Sequence, residues 1–97
     1  MATIEKLAPF ARKAAIIVVG RDRLLQMKNR LAFVLITEDI AENSRKKALE
    51  SFPCPIFQKY KSEDIQKLFG FYGTKMLGFK RSPISNKIMQ ELKEFRE

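Results

Sequence analysis

One run of apolar residues, Ala32 to Ile36, constrains the fold more than any other feature of the sequence. It reads Ala-Phe-Val-Leu-Ile and is followed by Thr37 and by two acids, Glu38 and Asp39. A short apolar run rich in Val, Ile and Phe, with polar residues on each side, is typical of a fully buried strand. Such strands belong to parallel or mixed sheets covered by helices on both faces. The run therefore predicts an α/β fold.

Short strands and amphipathic helices alternate along the rest of the chain. Three more strands are predicted, over Ala15 to Val19, Ile56 to Phe57 and Met76 to Phe79. Helices are predicted from Thr3 to Ala14, Arg21 to Lys28, Ile40 to Ser51, Ser62 to Gly70 and Ser82 onward, and Pro9 either kinks the first helix or begins it. This alternation predicts one domain, residues 1–97, built as a three-layer α/β/α sandwich around a four-stranded, mostly parallel or mixed sheet.

Particular residues are expected to cap or face these elements. Ser62 and Ser82 are predicted N-caps, and Pro83 follows at the first helical position. The residues expected to face the core from the second and third helices are Leu24, Leu25, Ala41, Ala48 and Leu49. Arg45, Lys46 and Lys47 are expected on the solvated side of the third helix.

The net charge is +8, and it is concentrated at the two ends of the sequence. Residues 1–30 carry +5, residues 31–73 are neutral, and residues 74–97 carry +3. This pattern suggests one basic surface built from both ends, which is typical of nucleic-acid binding. The alternative is that the positive charge serves only to keep the protein soluble.

Several kinds of chemistry are not expected. The chain has no histidine, a single cysteine and no phosphate-binding glycine loop. Histidine-based catalysis, zinc sites built from several cysteines and nucleotide-binding glycine loops are therefore excluded.

The lone cysteine suits a reducing compartment. No apolar run could span a bilayer, and the first residues lack the order of a signal peptide. We therefore expect a cytoplasmic protein without enzymatic activity, cofactor, metal or membrane partner.

Three polar residues between the strands have simple structural interpretations. Glu38 and Asp39 could hold a divalent cation or act as acid and base, but adjacent strand residues point to opposite faces, which argues against shared chemistry. Asp39 is expected to cap the helix that follows. Cys54, between two prolines, is expected to be a buried structural thiol and not a reactive one.

The segment Gly20 to Arg23 is a candidate anion site. Arg21 and Arg23 flank a helix start that already carries partial positive charge, an arrangement that an anion would stabilise. The alternative is that Asp22 compensates the arginines, or that they pair with Glu38 or Asp39.

The loop Phe71-Tyr72-Gly73-Thr74 and Lys75 is a second candidate. Aromatic side chains beside basic ones can stack on unpaired bases. Phe71 is expected instead to close the core beneath the loop, and for Tyr72 both interpretations stay open.

The order of these features resembles the ribosomal-protein family of large-subunit proteins seven-Ae and thirty-e, particularly its small bacterial YlxQ-like members. The resemblance rests on Ala11-Arg12-Lys13-Ala14 before a strand and Gly20, on Thr37-Glu38-Asp39, and on Ala41-Glu42-Asn43-Ser44 before a Lys-rich helix. It continues with a strand entry at Pro55, Ser62-Glu63-Asp64-Ile65 opening a helix, and Gly70 closing it.

This resemblance implies an α/β/α protein that binds kink-turn RNA and is associated with the ribosome or translation. The family reads sheared G·A pairs with Asn-Glu and a later Lys, where this chain has Asp22, Arg23 and Gln26. A protein–protein adaptor that has lost kink-turn recognition is therefore the alternative. The expected partner is ribosomal or other structured RNA, with the ribosome as a further candidate, and the expected state is a monomer. The predicted RNA-binding residues are Gly20, Arg21, Asp22, Arg23, Gln26, Lys28, Phe71, Tyr72, Gly73, Thr74 and Lys75.

Overall fold

The computed structural model describes residues 3–97, which form five α-helices and four strands. The helices are α1 (Thr3–Lys13), α2 (Arg21–Gln26), α3 (Glu42–Ser51), α4 (Ser62–Phe69) and α5 (Pro83–Glu91). The strands are β1 (Ile17–Val18), β2 (Leu31–Ile36), β3 (Ile56–Gln58) and β4 (Met76–Lys80), and short 3-10 turns follow α2 (Lys28–Arg30) and α5 (Lys93–Phe95). In this part of the chain, no helix is long and apolar enough to cross a membrane.

The four strands form one mixed sheet in the order β1-β4-β2-β3. β2 runs parallel to β3, and β4 runs antiparallel to both β2 and β1. The predicted buried strand therefore lies inside the sheet, and five of its six residues are buried. Because β4 is the other inner strand, β1 and β2 are joined only through it.

Two hydrophobic layers cover the two faces of this sheet. On one face, Phe33, Leu35 and Phe79 pack under α1, α4 and α5, and the rings of Phe33 and Phe79 stack with centroids 4.5 Å apart. On the other face, Val34 and Ile36 pack under α2 and α3. The predicted three-layer α/β/α sandwich with a mixed four-stranded sheet is thus confirmed.

Gly78, in the middle of β4, lets α2 lie close to the sheet. A Cβ atom placed on this glycine would lie 2.5 Å from a methyl group of Leu24 and 3.0 Å from both methyl groups of Leu31. Both leucines are buried. The absence of a side chain at position 78 therefore sets the distance between α2 and β4.

The structure corrects several local predictions. β1 has two residues rather than five, and Ala15, with a φ of 57°, turns the chain before the strand begins. α3 begins at Glu42, with Ala41 in extended backbone at the capping position. Ala41, Leu49 and Leu25 are exposed rather than packed in the core, and only Ala48 and Leu24 are buried as expected.

α1 continues through Pro9, so the alternative in which Pro9 begins the first helix is wrong. Other local features were predicted correctly. Gly70 ends α4 in the left-handed conformation with a φ of 78°. The hydroxyl of Ser82 caps α5 by accepting a 3.0 Å hydrogen bond from the backbone N–H of Ser85, and Pro83 takes the first helical position.

The chain beyond α5 covers the outer edge of β3. The N–H of Glu97 donates a 2.8 Å hydrogen bond to the carbonyl of Ile56. The carboxylate of Glu97 also accepts hydrogen bonds from Arg45 of α3, which in turn pairs with Glu42. These contacts give the exposed edge strand a partner, and a paired edge resists association with other chains.

Candidate nucleic-acid interface

A groove of about 640 Å³ lies where the start of α2, the start of α3 and the loop before β4 meet. Its position follows from the sheet, since β1 and β2 end at this side and β4 begins there. Crevices beside strand ends are the usual ligand sites of open α/β sheets. The residues that line the groove are Gly20, Arg21, Leu24, Leu25, Asp39, Ile40, Ala41, Ser44, Lys47, Ala48, Ser51, Phe52, Gly73, Thr74, Lys75 and Met76.

The groove brings together residues of both predicted candidate segments. Gly20 and Arg21 lie on one wall, and Gly73, Thr74 and Lys75 lie on another. These two segments are more than 50 residues apart in the sequence. The sheet therefore brings parts of the two segments together at one edge.

The remaining predicted residues of α2 do not line the groove. Asp22, Arg23 and Gln26 are exposed on the outer surface of α2, and Lys28 is exposed in the turn after it. In a helix, residues one and two positions apart point in different directions. Arg21 and Leu24 face the groove, so the residues between them point away from it.

A cluster of three polar side chains, here called the Asp39 clasp, fixes one end of the groove. Nζ of Lys75 lies 2.9 Å from Oδ2 of Asp39 and 2.8 Å from Oγ of Ser62. The hydroxyl of Ser62 donates to Oδ2 of Asp39 over 2.9 Å, and its backbone N–H donates to Oδ1 over 3.2 Å. The clasp thus ties the turn after β2, the start of α4 and the loop before β4 together.

Three predictions about the residues in and beside the clasp are corrected. Asp39 does not cap α3, because its carboxylate accepts from the first residue of α4 instead. Its cationic partner is Lys75 rather than Arg21 or Arg23. Ser62 itself is not the N-cap of α4 but lies one position further, and Asp64 accepts a hydrogen bond from the backbone N–H at the capping position.

The electrostatics of the clasp favour an ion pair over nucleophilic chemistry. The hydrogen bond from Lys75, and after it those from neighbouring hydroxyl groups, hold the pKa of Asp39 well below its usual value of 3.8. A carboxylate whose pKa is lowered in this way is a weak base, so Asp39 is suited to hold Lys75 and Ser62 in place rather than to take a proton from the Ser62 hydroxyl.

Two cations of the groove remain available to an anion. Arg21 at the start of α2 and Lys47 on the inner side of α3 both line the groove, and neither takes part in an ion pair of the described chain. Lys47 was predicted to be solvated together with its neighbours. The position of α3 directly after the end of β2 could have indicated its role, because segments that follow strand ends border the ligand site.

The two aromatic residues of the loop before β4 have different environments. Phe71 is half-buried and packs against the core under α1, α4 and α5, as expected. The side chain of Tyr72 is 84% exposed. Gly73 has a φ of 60°, and the hydroxyl of Thr74 donates to the carbonyl of Tyr72 over 3.3 Å. The loop therefore exposes one aromatic residue, Tyr72, next in sequence to Gly73, although neither Tyr72 nor Phe71 lines the groove.

Cys54 has the environment of a structural residue. It is half-buried and packs against the hydrophobic layer under α2 and α3. Burial raises the pKa of its thiol, which disfavours the reactive thiolate. No group of three potential metal-ligating side chains occurs among residues 3–97.

The fold is shared with proteins of known structure, although no family model and no curated protein sequence matches the chain. One similar structure is that of a Bacillus halodurans protein of unknown function, with a TM-score of 0.84, 17% identity, and coverage of 96% of this chain and 99% of that one. Another is the 15.5kD RNA-binding protein of Giardia lamblia, with a TM-score of 0.68, 13% identity, and coverage of 95% and 86%. At these identities the similarity is one of fold.

Proposed function

We propose that this protein is a non-catalytic RNA-binding protein that binds structured, kink-turn-like RNA and works in association with the ribosome or translation. The observation that carries the proposal is the groove, where the start of α2 and the loop before β4 converge around Arg21 and Lys47. Arginine can hold a phosphate through two hydrogen bonds, and Tyr72 is exposed for stacking on an unpaired base. The fold shared with the Giardia RNA-binding protein supports the same function.

The residues proposed to act have distinct roles. Arg21 and Lys47 hold the RNA backbone inside the groove, while Arg23 and Gln26 contact it from the outer surface of α2. Asp22 is suited to accept hydrogen bonds from a guanine edge, because a carboxylate is an acceptor only. The positive charge of Lys75 lies at the rim of the groove and is already balanced by the carboxylate of Asp39.

A salt titration with two RNAs tests this proposal. The probes are a labelled kink-turn hairpin and the same hairpin with its sheared G·A pairs replaced by Watson–Crick pairs. Affinity should fall by about 0.7–0.9 log units per log unit of salt for each phosphate contacted. The variant R21E/R23E should lose most of the binding, and K67E/K87E, which reverses two exposed charges on α4 and α5, should lose much less.

Other results of the titration with the two hairpins would lead to different conclusions. Equal affinity for both hairpins would leave an RNA-binding protein without kink-turn specificity. Full affinity in R21E/R23E would mean that the RNA binds elsewhere on the surface. No binding to either hairpin near physiological salt would contradict the proposal and favour the protein–protein adaptor. Crosslinking in cells followed by RNA sequencing would identify the natural RNA without assuming its structure.

A further inference from the structure

A second basic surface lies at the opposite end of the sheet from the groove. Arg30 directly precedes Leu31, the first residue of β2, and Leu31 pairs with Lys80, the last residue of β4. Arg81 follows Lys80, and Lys28 lies in the same 3-10 turn as Arg30. We call the four cations Lys28, Arg30, Lys80 and Arg81 the distal patch.

The distal patch unites the two basic ends of the sequence. Residues 23–37 and residues 65–90 contain no Asp or Glu. These acid-free segments include β2 and β4, which pair with each other in the centre of the sheet. The pairing therefore joins two stretches of uncompensated positive charge at one place on the surface.

The charges of the distal patch are free to act on a partner. Lys28, Arg30 and Arg81 are exposed, and Lys80 is half-buried. None of the four takes part in the ion pairs that the structure shows within residues 3–97. Like charges held close together repel each other, and an anion that binds between them removes this cost.

The distance between the patch and the groove suits a nucleic-acid strand. The patch lies beside Leu31 and the groove lies beyond Ile36 at the other end of β2, so the five steps of the strand separate them by about 17 Å. A few nucleotides of one RNA strand can span this distance. α2 joins the two sites, with Arg21 and Arg23 near the groove and Lys28 near the patch.

The composition of the patch favours RNA over a membrane. The large apolar side chains that are exposed in the described chain are Phe10, Leu25, Leu49 and Tyr72, and none of them belongs to the patch or adjoins it in sequence. Membrane-surface binding combines basic residues with inserted apolar ones. A patch of arginine and lysine alone fits a phosphate backbone.

We propose that the distal patch is a second RNA-backbone site, so that one RNA extends from the groove along α2 to Lys28, Arg30, Lys80 and Arg81. The inference rests on the proposed RNA-binding function and adds a surface outside the groove. It assigns to the patch a sequence-independent contribution to affinity, because phosphate contacts position an RNA without reading its bases.

The test compares the salt dependence of binding in matched charge variants. The probe is a kink-turn hairpin whose stem extends about ten base pairs beyond the kink. The patch variant is K28Q/R30Q/R81Q, and the control K67Q/K87Q/K93Q removes three exposed lysines from α4 and the α5 end of the chain. The slope of log K against log salt should become shallower by about 2 in the patch variant, at about 0.7–0.9 per lost phosphate contact. In the control it should change by less than about 1.

The outcomes separate this inference from the proposed function. If the wild type binds the hairpin but the patch and control variants have equal slopes, the distal patch does not bind RNA while the groove proposal stands. If the wild type binds no hairpin, both are wrong. If the patch variant keeps its RNA affinity but loses binding to phosphatidylserine vesicles, the patch recognises a membrane and the RNA inference is wrong. Unchanged circular dichroism spectra confirm that the variants are folded.

Discussion

Nζ of Lys75 lies 2.9 Å from Oδ2 of Asp39, although the two residues are 36 positions apart. The contact joins the loop before β4 to the turn after β2, and Ser62 extends it to the start of α4. Both ionic partners are partly exposed, with about half of the Lys75 side chain accessible. The pair therefore acts mainly by restricting where this loop can lie, since exposed ion pairs contribute little net stability.

Replacing Asp39 should make the stability of the protein depend differently on pH. The folded-state pKa of Asp39 is lowered, so its contribution is fully present above the unfolded value of 3.8 and is lost as the pH falls below it. The D39N variant lacks this titration. We expect D39N to be less stable than the wild type at about pH 6, and we expect this difference in stability to shrink at about pH 2. Urea midpoints at the two pH values measure the difference.

The neighbouring residue Glu38 provides the control for this experiment. Its side chain is exposed and makes no ion pair within residues 3–97. E38Q should shift the urea midpoint little at either pH. A wild-type advantage over D39N that stays constant down to low pH would contradict the assigned role of the Asp39 carboxylate.

A methyl group at position 78 should destabilise the fold. In G78A the new Cβ atom would lie 2.5 Å from Leu24 and 3.0 Å from Leu31, both in the core between α2 and the sheet. Overpacking of this kind typically costs about 1–3 kcal/mol. Urea denaturation of the variant measures the loss directly.

The double variant G78A/L24A tests whether the loss comes from this contact. L24A alone removes a buried leucine and should cost about 2–5 kcal/mol. Because the smaller side chain makes room for the methyl group, the double variant should lose less than the sum of the single losses. Strict additivity would mean that Leu24 is not the residue that limits position 78.

The two aromatic residues of the loop before β4 should respond differently to substitution. Tyr72 is exposed, so Y72A should leave the urea midpoint nearly unchanged while lowering affinity for a kink-turn hairpin by about 1–3 kcal/mol if its ring stacks on a base. Phe71 packs against the core, and F71A should lower stability. An unchanged affinity in Y72A would remove Tyr72 from the RNA site.

Arg45 should control the local stability of the chain beyond α5. It is bound by Glu97 and Glu42, and the N–H of Glu97 is bonded to Ile56 of β3. In R45Q we expect faster hydrogen exchange at the amide of Glu97, with exchange in β2 unchanged. The control K46Q alters an exposed neighbour that makes no ion pair among residues 3–97, and it should leave the Glu97 amide unaffected.

The elements that the sequence predicts well are those with a local physical signal. The apolar run of β2 could be recognised because its burial on both faces leaves no polar position inside it. Gly70 and Ser82 were identified because a left-handed turn and a hydroxyl cap are short-range features. α3 was predicted to start too early, because the apolar pattern does not show that Ala41 has the extended backbone of a capping residue.

The site was predicted less completely, because its contacts join distant parts of the chain. The meeting of Gly20 and Thr74 in one groove agrees with the rule that ligand sites lie at strand ends. The partner of Asp39 could not be inferred, since it depends on which strands are neighbours in the sheet. Lys47 is exposed as predicted. Its place in the lining of the groove was missed, because a run of basic residues on a helix does not reveal which one faces a neighbouring element.

The central position of β4 has a consequence for how the protein forms during synthesis. β1 pairs only with β4, and β2 makes its antiparallel contact with the same strand. Until residues 76–80 have been synthesised, the nascent chain can form only the parallel pair of β2 and β3, which is marginal as a two-stranded unit. We therefore expect the sheet to assemble late and in one step, once residues 76–80 have left the ribosome.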